Sequence, residues 1–193
     1  YGSIDEIPSI GATTWWNSQG LLWCRAQQSS PSHRKKMVVL KDLLNRFNVL
    51  HVQESRHDAH DIQFLISQYG DRFHILTSEP AEALQGGLIS FVRKTIDGKT
   101  TEAHPIDISP GRILCSHILV GDKPTVHYNI HIPPHETIGF IWRMLFDLAA
   151  SATEWAGYPI LAGGDLNFQA TADEVCSTES TDNISGSLSP DLQ

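Results

Sequence analysis

The sequence of 193 residues has no long apolar run, few cysteines and a shortage of positive charge. No stretch approaches the roughly 18 consecutive apolar residues of a membrane helix, so we predict no contact with a membrane. Three cysteines at wide spacing, Cys24, Cys115 and Cys176, argue against a disulfide framework and favour an intracellular location, nuclear or cytoplasmic. The formal net charge of −8 gives no long-range attraction to nucleic acid. A carboxylate cluster that binds a divalent cation would still offer phosphate a local positive site.

Apart from these shortages the composition is ordinary, with 40% hydrophobic and 19% charged residues, which predicts a globular α/β chain. We expect one domain over 1–168, followed by a polar and poorly ordered tail over 169–193. The chain begins with Tyr1 and not with methionine, so we expect a piece of a longer product. Hydrophobic patterns predict strands at 13–16, 49–52, 73–77, 87–92, 102–108, 113–119, 125–132 and 160–162, and helices around 37–47, 62–69 and 138–152.

A glycine pair follows the last predicted strand and precedes two polar residues. The apolar run 160–162 predicts a buried strand, after which Gly163 and Gly164 should let the backbone turn tightly. Asp165 and Asn167 then share one face, because residues two apart in an extended chain point the same way. Chemistry is often placed at such a strand end. The same residue types can also form a plain turn.

Two more polar side chains, Asn17 and Glu54, follow predicted strands. Asn17 comes after the β-branched and aromatic run 13–16, and Glu54 after the buried run 49–52 and one glutamine. Each has a simpler interpretation, as a turn cap and as a solvated acid.

The strand at 125–132 alternates in polarity. His127, Asn129 and His131 face one way, and three apolar residues face the other. These imidazoles and the amide could serve a site. A solvent-facing sheet surface gives the same pattern, and for His127 we expect that surface position.

Two other polar groups favour structural interpretations. The segment 57–61 contains potential metal ligands, but Asp58 is a plausible N-cap for the helix that follows, and the segment lacks the usual ligand spacing of a zinc site. Arg93 and Lys94 end a strand and are expected to be a solvated pair. The polar segment 27–34 is expected to be a loop.

The strand-end residues are far apart in sequence but could converge at one rim of two packed sheets. Two carboxylates, amides and an imidazole without cysteine form an oxygen-rich site that suits Mg²⁺ or Mn²⁺. Such a site is typical of phosphate ester hydrolysis.

Five segments in this order resemble the signatures of the endonuclease/exonuclease/phosphatase family, which includes deoxyribonuclease I and the apurinic endonucleases. They are 14–20, 52–54, 86–88, 129–133 and 163–167. The resemblance implies a four-layer α/β sandwich of two mainly antiparallel sheets flanked by helices, and Mg²⁺-dependent phosphodiester or phosphomonoester hydrolysis. The style of the motifs is most similar to endonuclease domains of non-LTR retrotransposons, which lie ahead of a reverse transcriptase. Nucleic acid, DNA before RNA, is then the expected substrate.

The resemblance also implies roles for individual residues. Glu54 would bind the metal, with Asn17 as a ligand or positioning partner. Asp165 would orient the attacking water, and Asn167 would hold the phosphate or the transition state. His131, with Asn129 two residues before it, stands where many nucleases of the family have tyrosine and deoxyribonuclease I has histidine.

The sequence departs from the family after Asn167. Family members end with strands that carry an Asp and then a Ser-Asp-His signature, and here the last histidine is His135. We therefore expect a C-terminally incomplete domain. Two alternatives remain: a decayed, non-catalytic remnant of the fold, and a phosphatase or sphingomyelinase-like hydrolase.

Overall fold

A computed structural model describes residues 10–22, 30–80, 86–134 and 136–167 of the chain. Cys24, Cys176 and the predicted polar tail lie outside these described residues. Cys115 lies within them, and burial raises the pKa of its thiol to about 11. None of the helices in these ranges is long and apolar enough to cross a membrane.

The described ranges fold into nine strands and three helices. The strands are β1 (Thr13–Asn17), β2 (Val49–Gln53), β3 (Phe73–Ser78), β4 (Leu88–Arg93), β5 (Thr95–Ile96), β6 (Lys99–Ser109), β7 (Ile113–Val120), β8 (Lys123–His131) and β9 (Ile160–Asp165). The helices are α1 (Pro31–Arg46), α2 (Ala59–Tyr69) and α3 (Ile138–Glu154).

The strands form two sheets, and each has one parallel pair. The first sheet has the order β1-β2-β4-β3, with β1 parallel to β2. The second has the order β5-β6-β7-β8-β9, an antiparallel meander that ends with β9 parallel to β8. Parallel neighbours need a crossover, which α1 and α3 supply. Because the strands of each pair are parallel, their carboxyl ends lie at the same edge of the sheet.

Three apolar clusters hold four layers together. One packs α1 and α2 on the first sheet through residues such as Leu44, Leu65 and Phe91. A second lies between the sheets and joins Val49 to Leu114. The third packs α3 on the outer face of the second sheet. The arrangement is helices, sheet, sheet, helix, which confirms the predicted α/β sandwich.

Helix α1 begins earlier than the sequence predicted. Pro31 is in its first turn, where a missing N–H is harmless, and the Ser30 side chain accepts a hydrogen bond from the backbone N–H of His33. The predicted loop at 27–34 is therefore wrong from Pro31 onward. The predicted N-cap of α2 is confirmed, because Asp58 and Asp61 form a reciprocal capping box.

Arg93 and Lys94 are not a solvated pair. The guanidinium of Arg93 donates to three carbonyls at the end of α1, those of residues 44, 45 and 47. Lys94 Nζ donates to the carbonyl of Gly70 at the end of α2. Each cation thus satisfies carbonyls that a helix C-terminus leaves without partners.

His127 is not on a solvent-facing surface. Its side chain is fully buried between the sheets, and its Nδ1 lies 3.2 Å from Nε2 of His51. His51 Nδ1 lies 2.8 Å from the Ser90 hydroxyl. The polar face of β8 is turned toward the first sheet. The alternating polar residues of this strand therefore lie in the layer between the sheets and not at the surface.

Gly163 and Gly164 lie within β9 and do not form a turn, and the run 160–162 before them is partly exposed and not buried. A Cβ on Gly163 would come within 2.7 Å of the Trp15 ring, and one on Gly164 within 1.8 Å of the Ile130 carbonyl oxygen. The pair is needed because β1 and β8 approach the β9 backbone closely.

Candidate active site

Four of the predicted residues meet where the two sheets end. Asn17 ends β1, and Glu54 follows β2 directly. His131 ends β8 opposite Asp165, which ends β9. The carboxyl ends of both parallel pairs therefore meet at one rim, as the sequence predicted.

The backbone at Glu54 is held in an uncommon conformation. Its φ of 50° lies in the left-handed region, which is unfavourable for a residue with a side chain. The Glu54 carbonyl accepts hydrogen bonds from the Ser18 hydroxyl at 3.2 Å and from the Gly20 N–H at 2.6 Å. The loop after β1 thus fixes the carboxylate that follows β2. Gln19, Arg56 and Asn167 also have positive φ, so strained backbone surrounds this rim.

A single amide joins the two carboxylates. Nδ2 of Asn17 donates to Oε1 of Glu54 at 3.1 Å and also to Oδ2 of Asp165. The oxygen of the same amide accepts from the N–H of Gln19 at 2.9 Å. Asn17 therefore orients both acids, and one lone pair of its oxygen is already used.

His131 completes the cluster. Its side chain is about 4% exposed, and its Nε2 lies 3.3 Å from Oε1 of Glu54. Ligand atoms of Glu54, His131 and Asp165 all lie within 4.8 Å of one another. Burial lowers the pKa of His131, and Arg112 lowers it further, while the two carboxylates act in the opposite direction. Burial thus favours the neutral form of this imidazole.

Three basic residues line the same rim, and none of them was predicted from the sequence. Arg56 Nη2 lies 3.6 Å from Oε2 of Glu54. Lys36 Nζ donates to the carbonyls of residues 19 and 20, and burial, followed by the charge of Arg56, lowers its pKa. Arg112 Nη1 lies 3.3 Å from Nδ1 of His131. The position of Arg56, two residues after Glu54, was the only available signal; the other two belong to no local pattern.

Asn129 and Asn167 take positions different from those of the four clustered residues. The Asn129 side chain is fully buried between the sheets and donates to the carbonyls of Val52 at 3.1 Å and Ile89 at 3.3 Å. Nδ2 of Asn167 donates to the Ile132 carbonyl at 2.8 Å. Its backbone N–H donates to Oδ1 of Asp165 at 3.1 Å. Asn129 thus ties the sheets together, and Asn167 contacts the cluster through its backbone.

Three potential ligands of the 57–61 segment, His57, Asp58 and Asp61, are engaged elsewhere. His57 Nδ1 lies 2.7 Å from the Ser55 hydroxyl, and burial lowers the pKa of His57 to about 4. Asp58 caps α2. The Ser55 and Arg56 N–H groups donate to the carbonyls of Gly87 and Gly86, so this glycine pair supports the backbone after Glu54.

The donor set of the cluster fits a divalent cation. Two carboxylates are brought together with an amide, although their like charges would otherwise drive them apart. Oxygen donors of this kind are the ligands that Mg²⁺ and Mn²⁺ prefer. Nε2 of His131 is buried in the same cluster, 3.3 Å from Oε1 of Glu54, and has no hydrogen-bond partner among the described residues.

Comparison with known proteins gives one family and one fold. The sequence profile of the Endonuclease/Exonuclease/phosphatase family matches residues 14–191. No curated protein matches the chain.

Among solved structures, the AP endonuclease LMAP from Leishmania major has a TM-score of 0.51 and 17% identity, over 80% of this chain and 54% of that one. A humanized D. rerio TDP2 with 14 mutations has a TM-score of 0.53 and 16% identity, over 84% and 68%. A family protein from Bacteroides thetaiotaomicron has a TM-score of 0.55 and 14% identity, over 84% and 65%. The chain thus spans about half to two thirds of the length of these proteins, and the likeness shows a shared fold.

Proposed function

The chain belongs to the endonuclease/exonuclease/phosphatase family, and from that membership we propose that it is a divalent-metal-dependent phosphodiesterase that cleaves nucleic acid. The observation that carries the proposal is the cluster of Glu54, His131 and Asp165, whose ligand atoms lie within 4.8 Å of one another. Asn17 bridges its acids, and basic side chains line its rim. Phosphoryl transfer needs carboxylates that hold a metal ion and, beside them, basic side chains that bind the phosphate.

Mg²⁺ or Mn²⁺ would be held by Glu54 and Asp165, with Asn17 as the residue that positions both. When bound, the ion would polarise the phosphoryl oxygen and stabilise the leaving oxygen. The other roles belong to the protein itself. The Asp165 carboxylate, oriented by hydrogen bonds from Asn17 and from the Asn167 N–H, accepts the proton of the attacking water.

The remaining groups bind the phosphate. The unpaired Nε2 of His131 faces the cluster and donates to a phosphate oxygen. Arg56 and Lys36 place positive charge at the entrance, where it attracts the substrate in spite of the net charge of −8. Asn129 supports the site from the layer between the sheets.

DNA is the substrate that we propose first, and a non-LTR retrotransposon polyprotein with a downstream reverse transcriptase is the proposed context. The support for this context is the order and style of the five motifs, and one of the similar structures is an AP endonuclease by name.

The first test is cleavage of supercoiled plasmid DNA in Mg²⁺, with RNA and a phosphomonoester as parallel substrates. Asp165→Asn should lower the cleavage rate by about 10²–10⁴, because an amide cannot accept the proton of the water. Asp122→Asn, in the exposed β7–β8 turn, is the matched control and should cleave like the parent. Equal rates for Asp165→Asn and the parent would refute the role of Asp165, and hydrolysis of the phosphomonoester alone would replace the nuclease with a phosphatase.

A further inference from the structure

The two ring nitrogens of His131 have different surroundings. Nδ1 makes a buried hydrogen bond with Nη1 of Arg112 at 3.3 Å. Nε2 lies 3.3 Å from Oε1 of Glu54 and has no hydrogen-bond partner among the described residues. One nitrogen is therefore paired within the protein, and the other faces the carboxylates.

The chemistry of arginine decides which nitrogen of His131 carries the proton. A guanidinium has only N–H donors and does not lose its proton in proteins. The hydrogen bond from Arg112 therefore requires a lone pair on Nδ1 of His131. In a neutral imidazole the single proton is then on Nε2. An Nε2–H group has no free lone pair with which to bind a metal ion. Nε2 therefore cannot be a metal ligand in this tautomer, although it lies close enough to the two carboxylates to share an ion with them.

The position of the guanidinium is itself well defined. Arg112 immediately precedes β7, and its side chain is about 10% exposed. Its Nη2 lies 4.0 Å from Oε1 of Glu136, and its carbonyl accepts from the His131 N–H at 2.8 Å. Gly86 leaves the space that Arg112 occupies, since a Cβ there would come within 2.8 Å of Nη1. The backbone hydrogen bond, the ion pair with Glu136 and the space beside Gly86 thus hold the guanidinium of Arg112 against the imidazole.

We propose that Arg112 is a positioning residue that holds His131 in the Nε2–H tautomer, so that His131 donates to the substrate phosphate and does not coordinate the metal. The cation is then held by Glu54 and Asp165, and the third member of the geometric cluster is reserved for phosphate. The role of His131 in binding the substrate phosphate rests on the proposed function. The tautomer itself does not depend on any activity.

Nitrogen-15 NMR of the histidine rings tests the tautomer directly, because a protonated and an unprotonated ring nitrogen have well separated chemical shifts. The His131 signals are assigned by their absence in His131→Gln. The wild-type protein without metal should show a protonated Nε2 and an unprotonated Nδ1. Arg112→Met, which removes every donor, should give a mixture of tautomers, and Arg112→Lys, which keeps a donor, should retain the Nε2–H form. A protonated Nδ1 in the wild-type spectrum would overturn the proposal even if Arg112→Met does not fold.

Calorimetric titration with Mn²⁺ alone tests the second half. His131→Gln should bind Mn²⁺ within about threefold of the parent, whereas Glu54→Gln should lose about tenfold or more, in line with the loss typical of groups around a metal. Equal losses in the two variants would make His131 a ligand and refute the inference.

These results separate the inference from the proposed function. A chain that shows the Nε2–H tautomer and carboxylate-only Mn²⁺ binding but cleaves no phosphodiester would keep the inference and lose the nuclease. A chain that cleaves DNA with a protonated Nδ1 on His131 would do the reverse.

Discussion

Asn17 holds two acids within reach of one nitrogen atom, and this single amide explains why a cluster of like charge is compatible with the fold. Glu54 and Asp165 would repel each other at this separation, and the N–H donors of Asn17 offset part of that cost. A bound cation would offset more of it. The residue is therefore the point at which metal binding and stability should be coupled.

Asn17→Asp replaces the bridging donor with a third carboxylate and tests this coupling. Without metal we expect the free energy of unfolding to fall by about 2 kcal/mol, since hydrogen bonds to charged groups contribute about 1.5–3 kcal/mol. With Mg²⁺ the variant should recover more stability than the parent does, because the ion binds only the folded cluster. Thermal melting in chelator and in Mg²⁺ measures both effects.

Asn45→Asp, on the exposed surface of α1, is the matched control and should respond to Mg²⁺ as the parent does. A melting temperature of Asn17→Asp that changes with Mg²⁺ no more than that of this control would contradict the coupling.

At the residue scale, sequence reasoning found the acids and missed the cations. Asp165 stands in a recognisable pattern, and Glu54 and Asn17 follow predicted strands, so their side chains could be placed at a rim. Arg112 and Lys36 come near the rim only because of tertiary packing, which no local pattern encodes. Asn129 and Asn167 were placed by the same strand-end pattern, and in the structure their amides donate to backbone carbonyls, which the sequence does not indicate.

At the scale of elements, period and turn chemistry predicted most strands, and the errors about which face is buried came from packing. The polar face of β8 was expected to face solvent at His127, but a second sheet covers it. Helix α3 has a wider apolar stripe than the second sheet covers, so Met144 is buried while Trp142 and Phe146 are exposed. Which face an element buries depends on the neighbouring layer, and a single sequence does not specify that neighbour.

The glycine pair of β9 gives an element-scale prediction. Gly164 has a φ of 148° and no room for a Cβ beside the Ile130 carbonyl, so Gly164→Ala should lower the free energy of unfolding by about 3 kcal/mol or more, from strain and overpacking together. Urea unfolding measures the loss.

Gly139→Ala, in the first turn of α3 with no atom within 4 Å of the new Cβ, is the matched control. It should stabilise the chain by about 0.5–1 kcal/mol, because alanine has less backbone freedom to lose than glycine. The same sign of change in both variants would show that the close approach of β8 and β9 is not what requires Gly164.

At the scale of the whole molecule, the layer between the sheets contains polar as well as apolar groups. His51, His127 and Asn129 lie there, together with Ser90, and all four side chains are fully buried. The His51 ring stacks on Trp15 at 5.2 Å and contacts the ring of His127. This polar seam runs from Trp15 across to the second sheet, and it joins the two halves of the molecule behind the candidate site.

The seam should make the protein sensitive to acid. Burial lowers the pKa of His127 to about 4 and, with the proximity of His127, lowers that of His51 well below its usual value. Unfolded histidines have a pKa of about 6.5 and take up protons first. The stabilisation is therefore complete above pH 6.5 and is lost as the pH falls from 6.5 toward 4. At pH 5 the unprotonated state of His127 should cost about 2 kcal/mol of stability relative to pH 7.5, and His51 should act in the same direction.

Urea unfolding of the parent and of His127→Gln at pH 7.5 and pH 5 tests this prediction. The variant cannot bind the proton at residue 127, so its loss of unfolding free energy between the two pH values should be smaller than that of the parent by about 2 kcal/mol. His60→Gln, which removes an exposed imidazole from α2, should lose as much as the parent does. If His127→Gln and the parent lost the same free energy, the acid sensitivity would have to come from groups other than His127, and this buried imidazole would not be what limits stability in acid.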